Sequence, residues 1–290
     1  MGRMQRSGKA NFRIKPVLGA VALALTVTAC GQTEAFRNER RPLESFSARE
    51  LYDRAEYALE EQGKPADAAE LFGEVERLYP YSELARRALI MQAYSYHRDR
   101  DYEQSRATAQ RFLDFYPGDE EAPYAQYLLA LSYYDQIDEI GRDQGLTFQA
   151  LQALRVVIER YPDSEWARSA MLKFDLAFDH LAAKEMEIGR YYLKRQHFTA
   201  AVTRFRVVVE DFETTSHTPE ALFRLIEAYL SLGLTDEAQT AGAILGHNFQ
   251  ATQWYEDGYK LLTARQLAPE AQGEGWLRTV YRRMIRGEWL

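Results

Sequence analysis

Gly-Arg-Tyr-Tyr-Leu-Lys-Arg-Gln-His-Phe-Thr-Ala-Ala-Val-Thr-Arg-Phe, residues 189–205, has the spacing of two antiparallel helices joined by a short turn. Gly189, Tyr192, Ala201, Phe205 and, just beyond, Val208 are the places where the two helices must touch. Small residues there admit close backbone approach, and the rings fill the remaining space. The turn falls near residues 195–197, although neither Gly nor Pro marks it. One such hairpin leaves apolar surface uncovered on both sides, so it requires neighbours of its own kind.

Those neighbours are present. The spacing recurs at Leu59, Ala68, Phe72 and Val75, and again 37 residues later through Ser105, Ala109 and Phe112, preceded by Ala93 and Tyr96. A third set runs Ala130, Tyr133, Ala150, Leu154 and Val157, with eight surplus residues taken up by a loop at 135–145. The fifth reads Ile226, Tyr229, Gly233, Ala238 and Leu245. The first three units close on Tyr79-Pro80, Tyr116-Pro117 and Tyr161-Pro162, where Pro stops the helix and pushes its predecessor out of the helical region. Between Pro162 and Gly189 there is neither Pro nor Gly, which predicts one long helix, capped by Asp163 or Ser164 and running to about Lys194. Upstream, Ser47 with Glu50 three places later reads as a capping box that starts the fold. The pattern resembles the tetratricopeptide repeat over roughly residues 48–250. The expected fold is all-α: a superhelix of five tetratricopeptide-like hairpins with a long central helix, units one to three at 47–163 and units four and five at 164–264.

The chain of 290 residues has a formal charge of −7 and is 46% hydrophobic, a composition that supports a substantial core. Residues 1–29 carry Arg3, Arg6, Lys9, Arg13 and Lys15 and no acid, so their removal leaves a body of charge −12. A body that acidic argues against a nucleic-acid-binding role, since the balance implies no basic surface. The five cations precede the short apolar run 17–27, the order of a secretory signal at 1–29. The run is too short to span a bilayer, which takes about 20 residues. It ends in Val-Thr-Ala-Cys at 27–30, and Cys30 is the only cysteine, so no internal disulfide is possible. This resembles the bacterial lipobox, with Val27 where Leu is more usual. The resemblance implies a lipid on Cys30 as the mature N-terminus, and Gly31 rather than Asp after it implies the outer membrane, facing the periplasm. Residues 31–46 show no apolar period and contain Pro42, and are expected to be a flexible tether.

Catalytic constellations are missing from the sequence. His97, His180, His197, His217 and His247 lack the spacing of a metal site and read as scattered surface residues, and no phosphate loop or nucleophile elbow occurs. The reading is a non-enzyme without metal or cofactor. Aromatic content says more. With the first helix of each unit lining the concave face, residues one turn from the packing positions point into the groove. These are Tyr57 in unit one, Arg87, Ile90 and Tyr94 in unit two, and Tyr124, Tyr127, Leu131 and Tyr134 in unit three, with Arg98 beside the rings. Tyrosine combines a large apolar body with a polar tip, which suits capture of an extended peptide. The final stretch, 265–290, is amphipathic and basic, and three roles stay open for it: lying on acidic headgroups, docking a partner, or capping the last repeat.

The five units, the long helix, Arg-Tyr-Pro-Asp-Ser-Glu-Trp-Ala at 160–167, Tyr191-Tyr192, the lipobox and the tether together resemble the BamD (ComL) family of lipoproteins in the outer-membrane β-barrel assembly machinery. That resemblance implies a scaffold that binds the periplasmic domains of a BamA-like barrel subunit and recognises the C-terminal segments of unfolded outer-membrane proteins, with other lipoproteins of the complex as further partners. Units one to three would face the clients and units four and five the barrel subunit. Arg204, between the packing residues Ala201 and Phe205, is the first candidate for an outward charge that meets an acidic site on that subunit. The alternative is a periplasmic repeat adaptor coordinating peptidoglycan synthesis or cell division.

Overall fold

The computed structural model describes residues 41–271 and 275–286. Among the described residues there are twelve α-helices and no strand. Unit one is α1 (Ala48–Glu60) and α2 (Pro65–Leu78), unit two α3 (Glu83–Arg98) and α4 (Tyr102–Phe115), unit three α5 (Ala122–Tyr134) and α6 (Gly145–Arg160). Unit four is α7 (Glu165–Lys194) and α8 (Phe198–Asp211), unit five α9 (Thr218–Leu232) and α10 (Thr235–Asn248). Two single helices follow, α11 (Gln253–Thr263) and α12 (Trp276–Arg286).

Each helix from α1 to α11 packs on the next, α12 packs on α10, and the first helices α1, α3, α5 and α7 also pack on one another in turn, which makes theirs the inner face of the stack. The spacing deduced for residues 189–208 is the packing: Ala201, Phe205 and Val208 are fully buried. A Cβ on Gly189 would stand 2.4 Å from Cε1 of Phe205, so the ring occupies space that only a glycine leaves. The unmarked turn has a physical explanation. Gln196 adopts a left-handed φ of 62°, and the same position is Gly63 (63°) in unit one, Arg100 (65°) in unit two and Gly233 (77°) in unit five. The turn requires that conformation, and units two and four supply it from residues that resist it. Unit three has the 135–144 loop there instead.

The corners between units obey one rule over all five units, two more than proline reveals. Tyr79, Tyr116, Tyr161, Phe212 and Phe249 each end a second helix, and each carbonyl accepts the N–H of the residue three on, at 3.0, 3.1, 3.0, 3.0 and 3.0 Å. Ser82, Ser164 and Thr252 stand at that third position and cap the next helix with their side chains. Ser164, not Asp163, therefore starts α7, whose 30 residues are long enough to serve two units. Its first half buries Ala170 in the core of unit three, its second half buries Ala182 and Met186 in the core of unit four, and Ala177 and Leu181 bridge to Leu151 of α6.

Both ends of the stack are covered. The expected tether is shorter than its sequence indicated: Leu43–Ser45 forms a 3-10 turn, and Phe46 is 3% exposed, packed with Leu51 in the core of unit one. The reason is a hydrophobic staple. Phe46 precedes the cap Ser47, Leu51 lies one turn inside α1, and their contact fixes the entry of the chain. Ser47 and Glu50 form the full capping box, and Tyr79 donates its hydroxyl to the Phe46 carbonyl. At the other end Gly242 stands where unit four has Phe205, and Leu262 of α11 takes that space, 2.5 Å from where a Cβ would be. Of the three roles left open for the basic tail, its described part packs on unit five: Leu277 and Val280 are buried, and Trp276 Nε1 donates to the Tyr229 hydroxyl at 3.0 Å.

Candidate functional site

The inner face of units two and three is built from α3, α5 and the first turns of α7. Tyr94, Tyr124, Leu131 and Tyr134 are half-buried along it, and Tyr57 of α1 is exposed further up. Arg98 donates to the Tyr94 hydroxyl at 2.8 Å and holds its guanidinium 5.7 Å from that ring, while Arg87 lies 5.8 Å from the ring of Tyr52. Both arginines are exposed. Two expected groove residues are not on the surface. Ile90 (5% exposed) packs among Leu89, Ala93 and Ala125, and Tyr127 (6%) stacks on Trp166 at 5.3 Å between centroids. A first helix in this fold is covered by its own partner and by both neighbouring units, so a ring one turn from the hairpin seam can still meet a wall.

That wall is the residue the groove reading omitted. Trp166, in the first turn of α7, lies 4.5 Å from the ring of Tyr124 and stacks on Tyr127, so it joins α5 to the long helix. Lys173, two turns on, sits 6.0 Å over Tyr127 and 5.5 Å over Tyr134. Burial first, then the neighbouring Tyr94, Glu121 and Tyr127, push ionisation of the Tyr124 phenol far above its ordinary range. Its hydroxyl is a neutral hydrogen-bonding group at any physiological pH. The arrangement offers exposed guanidinium groups beside half-covered rings, and so can hold a carboxylate next to an apolar side chain.

Arg204 does not stand as a free outward charge: its guanidinium donates to Glu185 on α7 at 3.1 Å, closing the unit-four hairpin across its seam. Two of the five histidines lie beside carboxylates. His97 Nε2 lies 3.0 Å from Asp135, joining the ends of α3 and α5, and His217 lies 3.3 Å from Asp179 of α7. Among the described residues no three His, Cys, Asp or Glu side chains are grouped to hold a metal, and no helix is long and apolar enough to cross a membrane. Cys30 and the segment 1–29 lie outside the described residues.

A family model described as YfiO, outer membrane lipoprotein, matches residues 44–244. The outer membrane protein assembly factor BamD of Caulobacter vibrioides is 45% identical over 258 residues, 88% of this chain and 83% of that one. The protein of the same name from Rickettsia prowazekii is 40% identical over 212 residues, 73% of this chain and 84% of its own. Among solved structures, the TPR domain of P58(IPK) aligns with 76% of this chain and 57% of that one at 18% identity and a TM-score of 0.28, a value that leaves the repeat assignment resting on the helices above.

Proposed function

We propose, from the premise that the chain belongs to the YfiO family of outer membrane lipoproteins, that it is an outer membrane protein assembly factor of the β-barrel assembly complex. The observation that carries this is the 45% identity, across 88% of the chain, to a protein named for that role. The protein acts as a scaffold and not as an enzyme: it holds unfolded chains and a barrel subunit near each other, and a stack of hairpins with an exposed inner face suits that work. It is anchored by lipid on Cys30 and faces the periplasm, as the signal-like segment and the lipobox indicate.

The client-binding surface is the inner face of units one to three. Tyr57, Tyr94, Arg87 and Arg98 supply accessible rings and cations, with Tyr124, Leu131 and Tyr134 as half-covered floor. An extended final strand presents alternate side chains to such a face, and its terminal carboxylate pairs with an arginine. A BamA-like subunit binds units four and five through its periplasmic domains, and Arg204 serves that interface by exchanging or sharing Glu185 with an acidic group of the partner.

Depletion of the protein from cells tests the main reading. Folded, heat-modifiable barrel proteins in the outer membrane should fall, and undiminished amounts would overturn it. The groove is tested separately with a labelled peptide ending in an aromatic residue: Tyr57→Ala with Arg98→Glu should weaken binding at least tenfold, and amidation of the peptide end should do the same. For Arg204, co-purification of the barrel subunit should drop in Arg204→Glu. The swap Arg204→Glu with Glu185→Arg restores the internal pair, so recovery in the swap would assign Arg204 to hairpin stability alone.

A further inference from the structure

Units three and four are joined by one helix instead of a corner, and this leaves a gap. α6 packs against the first half of α7 and α8 against its second half, so the two outer helices diverge. Between them opens a groove of about 590 Å³, with α7 as its floor. Phenylalanines line it: Phe174 and Phe178 of α7 stack at 5.9 Å, Phe178 meets Phe212, the residue that caps the end of α8, at 4.8 Å, and Phe148 of α6 is 56% exposed at the rim. Met171 of α7, one turn before Phe174, is also more than half exposed. Exposed large apolar residues clustered on one face mark an interaction surface.

The rim charge identifies the occupant. In a chain of formal charge −7, two cations border this groove, and neither has a carboxylate partner among the described residues. Arg155 holds its guanidinium 5.7 Å over the ring of Phe174, and Lys184 donates to the backbone carbonyl of Arg142. Of the two acids on the walls, Glu185 is already paired with Arg204, which leaves Asp211. We propose that this groove, on the side of α7 away from the tyrosine seam, is a docking site for a segment of another protein that inserts an aromatic side chain between Phe148, Phe174, Phe178 and Phe212 and sets its flanking carboxylates on Arg155 and Lys184. It is a second site, backing onto the inner face through Tyr134 and sharing Glu185 with the interface proposed above for the barrel subunit.

The test uses the full chain in detergent and three blocked, labelled pentapeptides: Asp-Glu-Phe-Glu-Asp, its Lys-Lys-Phe-Lys-Lys counterpart, and Asp-Glu-Ala-Glu-Asp. Fluorescence anisotropy should show saturable binding of the first, with the other two at least tenfold weaker. Phe148→Ala and Arg155→Glu lie at exposed positions and should each lower binding of the first peptide at least tenfold with circular dichroism unchanged, while Tyr57→Ala leaves it unaltered. The proposal is overturned by absence of saturable binding, by equal binding of the lysine peptide, or by binding that survives both groove variants. Light scattering that shows a dimer lost in Phe148→Ala would assign the groove to a second copy of this chain and overturn it as well.

Discussion

The two sides of α7 carry aromatic clusters of similar size in opposite conditions. On the inner side Trp166 is stacked on Tyr124 and Tyr127, with Lys173 over the rings; on the outer side Phe148, Phe174, Phe178 and Phe212 face an open groove. Tyrosine and tryptophan, the residues usually associated with recognition, do much of the structural joining here, while four phenylalanines line an open groove, Phe148 exposed and the other three half-buried. What decides the role of a ring in this chain is how many helices cover it, and that number depends on where α7 is straddled by its neighbours.

Removing one ring from each side tests that contrast most strongly. Trp166→Ala should destabilise the fold by about 3 kcal/mol, since a large side chain is lost from a junction of helices. Phe148→Ala, half in solvent, should stay within about 0.5 kcal/mol. Urea unfolding followed by circular dichroism measures both, and equal losses would erase the distinction. Along the same helix, Gly189→Ala would push a methyl into the ring of fully buried Phe205 and should cost about 2 kcal/mol by the same measurement. At its C-terminal end, Gln196→Gly should stabilise by about 1 kcal/mol, because the left-handed backbone costs glycine least. A loss there would mean that the Gln196 side chain matters more than its φ.

The smallest effect is a titration. Tyr124 has its phenol pKa raised by burial, so the neutral form is the one the folded state favours. Its contribution to stability is complete below the ordinary phenol value of about 10 and is lost as pH rises through the higher folded value. Ultraviolet titration of phenolate should show a late component that Tyr124→Phe diminishes.

The hairpins, their order and α7 were legible because Gly, Ala and rings recur at fixed offsets and because the long helix contains no breaker in its first 24 residues. The family was legible from the same spacing together with the lipobox, and the YfiO match bears it out. Depth was not legible. Ile90 and Tyr127 lie on first helices buried from several sides, and α5 is apolar nearly all round, so periodicity cannot say which face meets water. The corners at Phe212 and Phe249 lack proline and thus their signal, and Phe46 is one apolar residue with no period to belong to. Trp166 was visible only as part of a family motif, since its stacking partners are some forty residues upstream.

A stack of like units presents complementary faces at its two ends, and such faces can join head to tail without limit. In this chain neither end is available for that. Phe46 and the 3-10 turn sit over unit one, while Leu262, Leu277 and Val280 sit over unit five. Length is thereby fixed within one polypeptide, and filament growth by end-to-end addition is blocked by a few side chains that belong to no repeat.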